Sequence, residues 1–149
     1  MDLNHLNKYQ DWKSSLDSSA DLNIWDYIDY NIHPEDVLIL SELFFPKFIE
    51  IDDCIFFEFR FDENTYQTWR LNFGNDRRAI EAMINHVHIY DIFSHCEPDI
   101  EDSVFDRLAQ VLQNAWSMYF QKVFPDKKIE IEYVSGEQDY GPTLYIYQK

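Results

Sequence analysis

The densest group of possible metal ligands lies between residues 86 and 96. It contains three histidines, an aspartate and a cysteine: His86, His88, Asp91, His95 and Cys96. Imidazole, carboxylate and thiolate are the groups that bind zinc in proteins. If this segment is helical, His88, Asp91 and His95 share one face, whereas an extended chain puts His86 and His88 on the same side. These residue types indicate a metal-binding site, or a hydrolytic enzyme built on it, as one interpretation.

A simpler role for these histidines is to cap a helix end or to bond the backbone in a turn, and we expect that role. The chain has neither an HExxH motif nor a CxxC pair, and we expect no cofactor. It also lacks a GxSxG elbow, and its three glycines are too scattered for a phosphate loop. We therefore assign no catalytic residues. Arg77 and Arg78 are expected to neutralise neighbouring acids.

Charge is the second chemical signal. The 149-residue chain carries 28 acidic and 12 basic side chains, which gives a formal net charge of -16. This balance excludes nucleic-acid binding by general attraction to phosphates and favours a basic protein as the partner. The acids are spread over both halves of the chain, with 13 in residues 1–60 and 15 in residues 61–149. The charge alone therefore does not define a binding face.

Acids and tyrosines at predicted hairpin and strand positions are our candidates for the partner-binding face. Tyr145 and Tyr147 alternate with Leu144 and Ile146, and tyrosines on an exposed sheet face beside acids are typical of protein interfaces. The alternatives are that the acids are plain solvated surface and that a helix covers the tyrosines. The candidate residues are Asp52, Asp53, Glu58, Glu130, Glu132, Tyr145 and Tyr147.

Hydrophobic periodicity predicts the elements that position these residues. Helical spacing predicts helices over about 3–17, 24–30, 34–43, 66–73 and 102–123, and one more that carries Ile80, Met83, Ile84 and Val87. Alternation predicts strands over 48–51, 54–61, 129–133 and 143–148. Residues 88–96 fit either class. Helices segregated from hairpins predict an α+β fold, in which two antiparallel hairpins form one roughly four-stranded sheet against several helices, with the long helix near 102–123 at the centre.

The length predicts a single domain, residues 1–149. Cys54 and Cys96 adjoin apolar residues and are expected to be buried thiols, not a disulfide. The N-terminal sequence has no apolar signal segment, and no apolar run approaches the roughly 20 residues that span a bilayer. We therefore expect a cytoplasmic protein that contacts neither membrane nor nucleic acid, and the sequence leaves its oligomeric state open.

Several short stretches are similar to a group of small acidic bacterial proteins of unassigned function. They are Phe44-Phe45-Pro46, Phe48-Ile49-Glu50, Ile80-Glu81, Ile84 to Ile89 and Phe124-Pro125. Proteins of this kind resemble the immunity partners of bacterial toxins, which are acidic single domains without chemistry of their own. The resemblance implies a role in neutralising a basic partner and transfers no functional residues.

Three hypotheses follow from the sequence. The leading one is an immunity or inhibitor protein that occludes the site of a basic protein partner, such as a bacterial toxin. The second is a metal-binding or hydrolytic protein that uses residues 86–96. The third is a structural or adaptor domain that binds through its tyrosine-bearing sheet face.

Overall fold

The computed structural model describes residues 3–16, 21–96, 100–135 and 140–149. The chain divides into two compact units, Met1–Ser41 (unit 1) and Glu42–Lys149 (unit 2). The single domain expected from the chain length stays a prediction. In the described ranges, no helix combines the length and the apolar character that crossing a bilayer requires.

Unit 1 is helical and is held together by aromatic rings. It contains a 3-10 turn (Leu3–His5), α1 (Asn7–Ser14), α2 (Ile24–Asn31) and most of α3 (Pro34–Phe44). The single helix predicted over 3–17 is wrong, because Leu6 is extended and separates the turn from α1, while residue 17 lies outside the described residues. The rings of Tyr9, Trp12 and Tyr27 lie 5.2–5.9 Å apart and join α1 to α2.

Unit 2 confirms the α+β class and the long central helix. Its elements are β1 (Phe48–Ile51), β2 (Cys54–Phe57), α4 (Glu63–Phe73), α5 (Arg77–Asn85), β3 (Val87–His88), α6 (Ile89–Ile92), α7 (Asp102–Val123), β4 (Ile129–Val134) and β5 (Thr143–Gln148). The buried face of α7 contributes Leu112, Trp116 and Phe120 to the main core, where they meet Phe57 of β2 and Ile146 of β5.

The predicted four-stranded sheet is wrong. β1 and β2 form one antiparallel pair, and the other three strands form a separate antiparallel sheet in the order β3-β5-β4. β2 also ends before the predicted Phe61, because the amides of Arg60 and Phe61 turn back to the carbonyl of Phe57. All four residues of β2 are buried, whereas Phe59, which falls in the predicted strand but after β2, is exposed.

Two side chains of α5 occupy the gap between the two sheets on the β2 side. The amide of Ile55 donates to Glu81 Oε1 at 2.7 Å, and the amide of Phe57 donates to Asn85 Oδ1 at 3.0 Å. Asn85 Nδ2 returns a hydrogen bond to the Ile55 carbonyl at 2.8 Å. The edge of β2 that β1 leaves open is therefore hydrogen-bonded by a helix instead of by another strand.

The same two side chains reach the later part of β5, which is open on one side because β3 pairs only with Thr143 and Leu144. Glu81 Oε2 accepts from the amide of Gln148 at 2.6 Å, and Asn85 Nδ2 donates to the carbonyl of Ile146 at 3.3 Å. Glu81 is 0% exposed and Asn85 2%. We call Glu81 and Asn85 the bridge, since together they replace the backbone ladder that a continuous sheet would have.

Replacing the Glu81 carboxylate by an amide, or the Asn85 amide by a carboxylate, should destabilise the protein. The groups that contact the Glu81 oxygens are the N–H donors of Ile55 and Gln148, so Glu81→Gln turns its own N–H group toward a donor. Asn85→Asp places an oxygen against two backbone carbonyls. We expect each variant to lose about 2–4 kcal/mol of unfolding free energy in urea denaturation.

Glu58→Gln is the matched control, because Glu58 is exposed and its replacement should change the unfolding free energy by less than about 0.5 kcal/mol. A loss in Glu81→Gln no larger than this control loss would show that the bridge does not stabilise the fold.

Candidate functional site

The bridge brings the tip of the first hairpin beside the end of β5. Gln148 Nε2 donates to Glu81 Oε1 at 2.6 Å and to the backbone carbonyl of Asp53 at 2.8 Å. The hairpin tip, α4, the start of α5 and the end of β5 then enclose an open cleft of about 740 Å³. Its charged side chains are Asp52, Asp53, Arg70, Arg77, Arg78 and Lys149.

The hairpin tip itself is made by two aspartates. Asp52 and Asp53 have φ values of 50° and 66°, which is the pattern of a type I′ turn without its usual glycine. The Asp52 carboxylate accepts from Arg70 Nη1 at 2.7 Å and from the Tyr66 hydroxyl at 3.0 Å. Burial, followed by this hydrogen bond, raises the pKa of Tyr66. The Asp52 carboxylate is therefore already hydrogen-bonded by two side chains of α4.

The tyrosine-bearing sheet face is partly covered. Strand register pairs Glu130 with Tyr147 and Glu132 with Tyr145, so these residues share one face as the alternation predicts. The Arg78 guanidinium lies 4.4 Å above the Tyr147 ring and donates to its hydroxyl at 2.9 Å. The covering element at Tyr147 is therefore α5.

The Tyr147 hydroxyl also donates to Glu132 at 2.8 Å. Burial and this hydrogen bond raise the pKa of Tyr147, against the smaller lowering effect of Arg78. Glu130 forms an ion pair with Lys149. Most of the predicted partner-binding residues of unit 2 thus have partners inside the chain.

The predicted binding residues do not gather at a single point. Asp52 and Asp53 line the cleft, whereas Glu132 and Tyr145 line a second hollow of about 440 Å³. Tyr147 borders both hollows. Glu58 is exposed, just after β2, and its amide bonds the Lys47 carbonyl.

Sequence reasoning missed the bridge and the arginines of the cleft. One signal was present: Glu81 precedes Ile84 by three positions and Asn85 by four, so Glu81 and Asn85 lie on the apolar side of α5 together with Ile84. A charged residue within such a stripe indicates a buried polar contact. Arg77 and Arg78 were expected to neutralise acids, but neither forms an ion pair with any described residue.

The segment of residues 86–96 that carries the histidines is part extended and part helical. Val87–His88 form β3, and Ile89–Ile92 form α6. The rings of His86 and His88 lie 5.1 Å apart. His86 Nδ1 is 2.7 Å from the carbonyl oxygen of Met83, which only accepts, so this nitrogen carries the proton. The contact with the backbone at the end of α5 confirms the structural role expected for His86.

His88 contacts a side chain instead of the backbone: its Nδ1 lies 2.7 Å from the Thr143 hydroxyl. That hydroxyl also lies 3.0 Å from the Gly141 carbonyl oxygen, so His88 belongs to a hydrogen-bonded group at the start of β5.

A full metal site is not assembled around this pair. In the described ranges, no group of three or more His, Cys, Asp or Glu side chains is placed to hold a metal ion. Asp91, His95 and Cys96 are exposed on and after α6. The metal-binding interpretation therefore rests on His86 and His88.

The two cysteines should differ in reactivity. Cys54 is buried as expected, whereas Cys96 is exposed, contrary to expectation. Burial, with the charge of Glu81 as the next cause, raises the pKa of Cys54 to about 11. Because the thiolate is the reactive form, we expect Ellman's reagent at about pH 8 to modify one thiol rapidly and the second only after unfolding in urea.

Cys96→Ser should remove the rapid phase and leave the slow one, and Cys54→Ser should do the reverse. Two thiols that react rapidly in the folded protein would contradict the burial of Cys54.

Comparisons with known proteins found no matching family model, no matching curated protein and no matching solved structure.

Proposed function

We propose that the chain is an acidic binding protein that inhibits a basic protein partner, such as a toxin, by occluding the partner's site. The observation that carries the proposal is in unit 1: α3 is apolar on nearly all sides and yet exposed. We further propose that α2 and α3 supply the contact, and we call them together the α2–α3 segment.

The sequence Val37-Leu38-Ile39-Leu40 makes α3 unusual. Each helical residue advances the direction of its side chain by about 100°, so four consecutive apolar residues face almost every direction. Their exposed fractions are between 46% and 71%. A helix that is hydrophobic all round belongs in a buried environment, and a partner protein would provide one. Trp25 and Tyr30 of α2 are exposed as well, and such aromatic residues are enriched at binding hot spots.

The charge around α3 indicates the chemistry of the partner. Residues 21–41 contain five acids and neither lysine nor arginine; the acids are Asp21, Asp26, Asp29, Glu35 and Asp36. Among the described residues, none of these acids forms an ion pair with a lysine or arginine. A groove with an apolar floor and a basic rim is complementary to this segment, and opposite charge would speed association at low salt.

A second copy of the chain is a poorer occupant, because it would bring another net charge of -16 toward the same acids. In unit 2, by contrast, Asp52 is ion-paired with Arg70 and Glu130 is ion-paired with Lys149. This difference supports placing the main contact on the α2–α3 segment.

The test is a binding experiment with variants of exposed residues. The chain is expressed with the proteins encoded beside it, and its complexes are isolated at low salt and measured by native mass spectrometry. We expect one stoichiometric basic partner. The double variant Leu38→Gln/Ile39→Gln should weaken that complex at least about tenfold without lowering the melting temperature, because both side chains are exposed in the free protein.

Leu71→Gln is the matched control, since Leu71 is 86% exposed but lies on α4, and its affinity should be unchanged. Asp29→Asn/Asp36→Asn should mainly slow association and reduce its salt dependence. The proposal fails if no basic partner appears at any salt concentration, if the double variant binds as tightly as Leu71→Gln, or if the retained partner is a second copy of this chain.

A further inference from the structure

We propose that the cleft in unit 2 binds a small anion that carries phosphate groups, separately from any protein bound at the α2–α3 segment. The cleft is bordered by four of the chain's 12 basic side chains: Arg70, Arg77, Arg78 and Lys149. In a protein of net charge -16, this concentration of cations on one cavity is opposite in sign to the surface as a whole.

Two of the four cations are neutralised within the chain. Arg70 pairs with Asp52 at 2.7 Å, and Lys149 pairs with Glu130. Asp53 adds one carboxylate to the cleft wall. Arg77 and Arg78 remain without an acidic partner among the described residues, so the cleft keeps an excess of positive charge.

The two remaining arginines differ in how they are held. Arg78 is fixed over the Tyr147 ring by a cation–π contact of 4.4 Å and a hydrogen bond of 2.9 Å. Arg77 is partly buried, and its guanidinium has no hydrogen bond or ion pair with the described residues. Arg77 therefore borders the cleft with donors that no described residue uses, and an anion in the cleft would supply an acceptor for them.

The position of these arginines is electrostatically unfavourable in the absence of an anion. They are the first two residues of α5, where the helix dipole disfavours cations and favours acids. The Asp76 side chain caps the helix by accepting from the Ala79 amide at 3.0 Å, but the next two charges are both positive. A bound anion would offset the repulsion between the arginines and between each arginine and the helix end.

Phosphate fits this arrangement better than a lone carboxylate. One guanidinium satisfies both oxygens of a carboxylate, whereas the cleft presents guanidinium groups from two helices, Arg70 from α4 and Arg77 and Arg78 from α5. Its volume of about 740 Å³ is in the range of small-molecule sites. A diphosphate, or a larger molecule with a terminal phosphate, has enough oxygens to contact several of these groups.

Isothermal titration calorimetry with pyrophosphate tests the proposal on the full chain. We expect saturable binding that weakens at least about tenfold in Arg77→Gln. Arg107→Gln on α7 is the matched control: it removes the same charge outside the cleft and should bind like the unmodified protein. Citrate should bind more weakly than pyrophosphate, because its carboxylates suit single guanidinium groups.

Asp53→Asn should act in the opposite direction. It removes a carboxylate from the cleft wall, and Asn tolerates the positive φ of this position. Pyrophosphate should therefore bind about threefold more tightly, which corresponds to about 0.65 kcal/mol of lost repulsion. This variant also decides the question if Arg77→Gln fails to fold.

Several results would overturn the proposal: absence of pyrophosphate binding to the unmodified chain, equal weakening in Arg77→Gln and Arg107→Gln, tighter binding of citrate, or unchanged binding in Asp53→Asn. Because the α2–α3 segment contributes none of the residues bordering the cleft, the variants of Leu38 and Ile39 should leave pyrophosphate binding unaltered.

Discussion

The architecture of unit 2 depends on how the open edges of two small sheets are hydrogen-bonded. Buried backbone N–H and C=O groups need partners, and β2 and β5 each present such groups toward α5. Glu81 and Asn85 provide acceptors and a donor for both edges at once. A carboxylate with no exposed area is tolerated there because the groups bonded to it are donors. This requirement fixes the rotation and depth of α5.

The fixed helix determines what surrounds it. Since Glu81 and Asn85 set the face that α5 turns inward, Arg77 and Arg78 at its start are carried to the cleft, and Arg78 covers Tyr147. The Gln148 side chain extends the bridge to the hairpin tip at Asp53. The proposed anion site is therefore a consequence of the same contacts that replace a continuous sheet.

The two units differ in how many of their acidic and large apolar side chains have partners within the chain. In unit 2, most acids at the predicted binding positions have partners, and large apolar side chains such as Trp116 and Phe57 are buried. In unit 1, α3 exposes its apolar side chains near acids that pair with no lysine or arginine of the described residues. We therefore assign the two proposed binding roles to different units: a basic protein to the α2–α3 segment and an anion to the cleft.

Local patterns predicted most elements, and long-range contacts account for the errors. The apolar stripe of α7 and the alternation of β4 and β5 gave the correct elements because packing agrees with the local period. The sheet was predicted wrongly because strand pairing is a non-local choice, here decided by two side chains about 30 positions from β2 in the chain. The cleft at Arg77 depends on the same long-range arrangement, so it does not follow from spacing alone.

Amide hydrogen exchange at the bridge tests the central structural claim most directly. The amides of Ile55, Phe57 and Gln148 belong to strand edges that have no neighbouring strand on that side. If Glu81 and Asn85 bond them, these amides should exchange as slowly as those of the β4–β5 ladder, through global unfolding. Exchange of these three amides at the rate of open strand edges, while the ladder stays protected, would contradict the account.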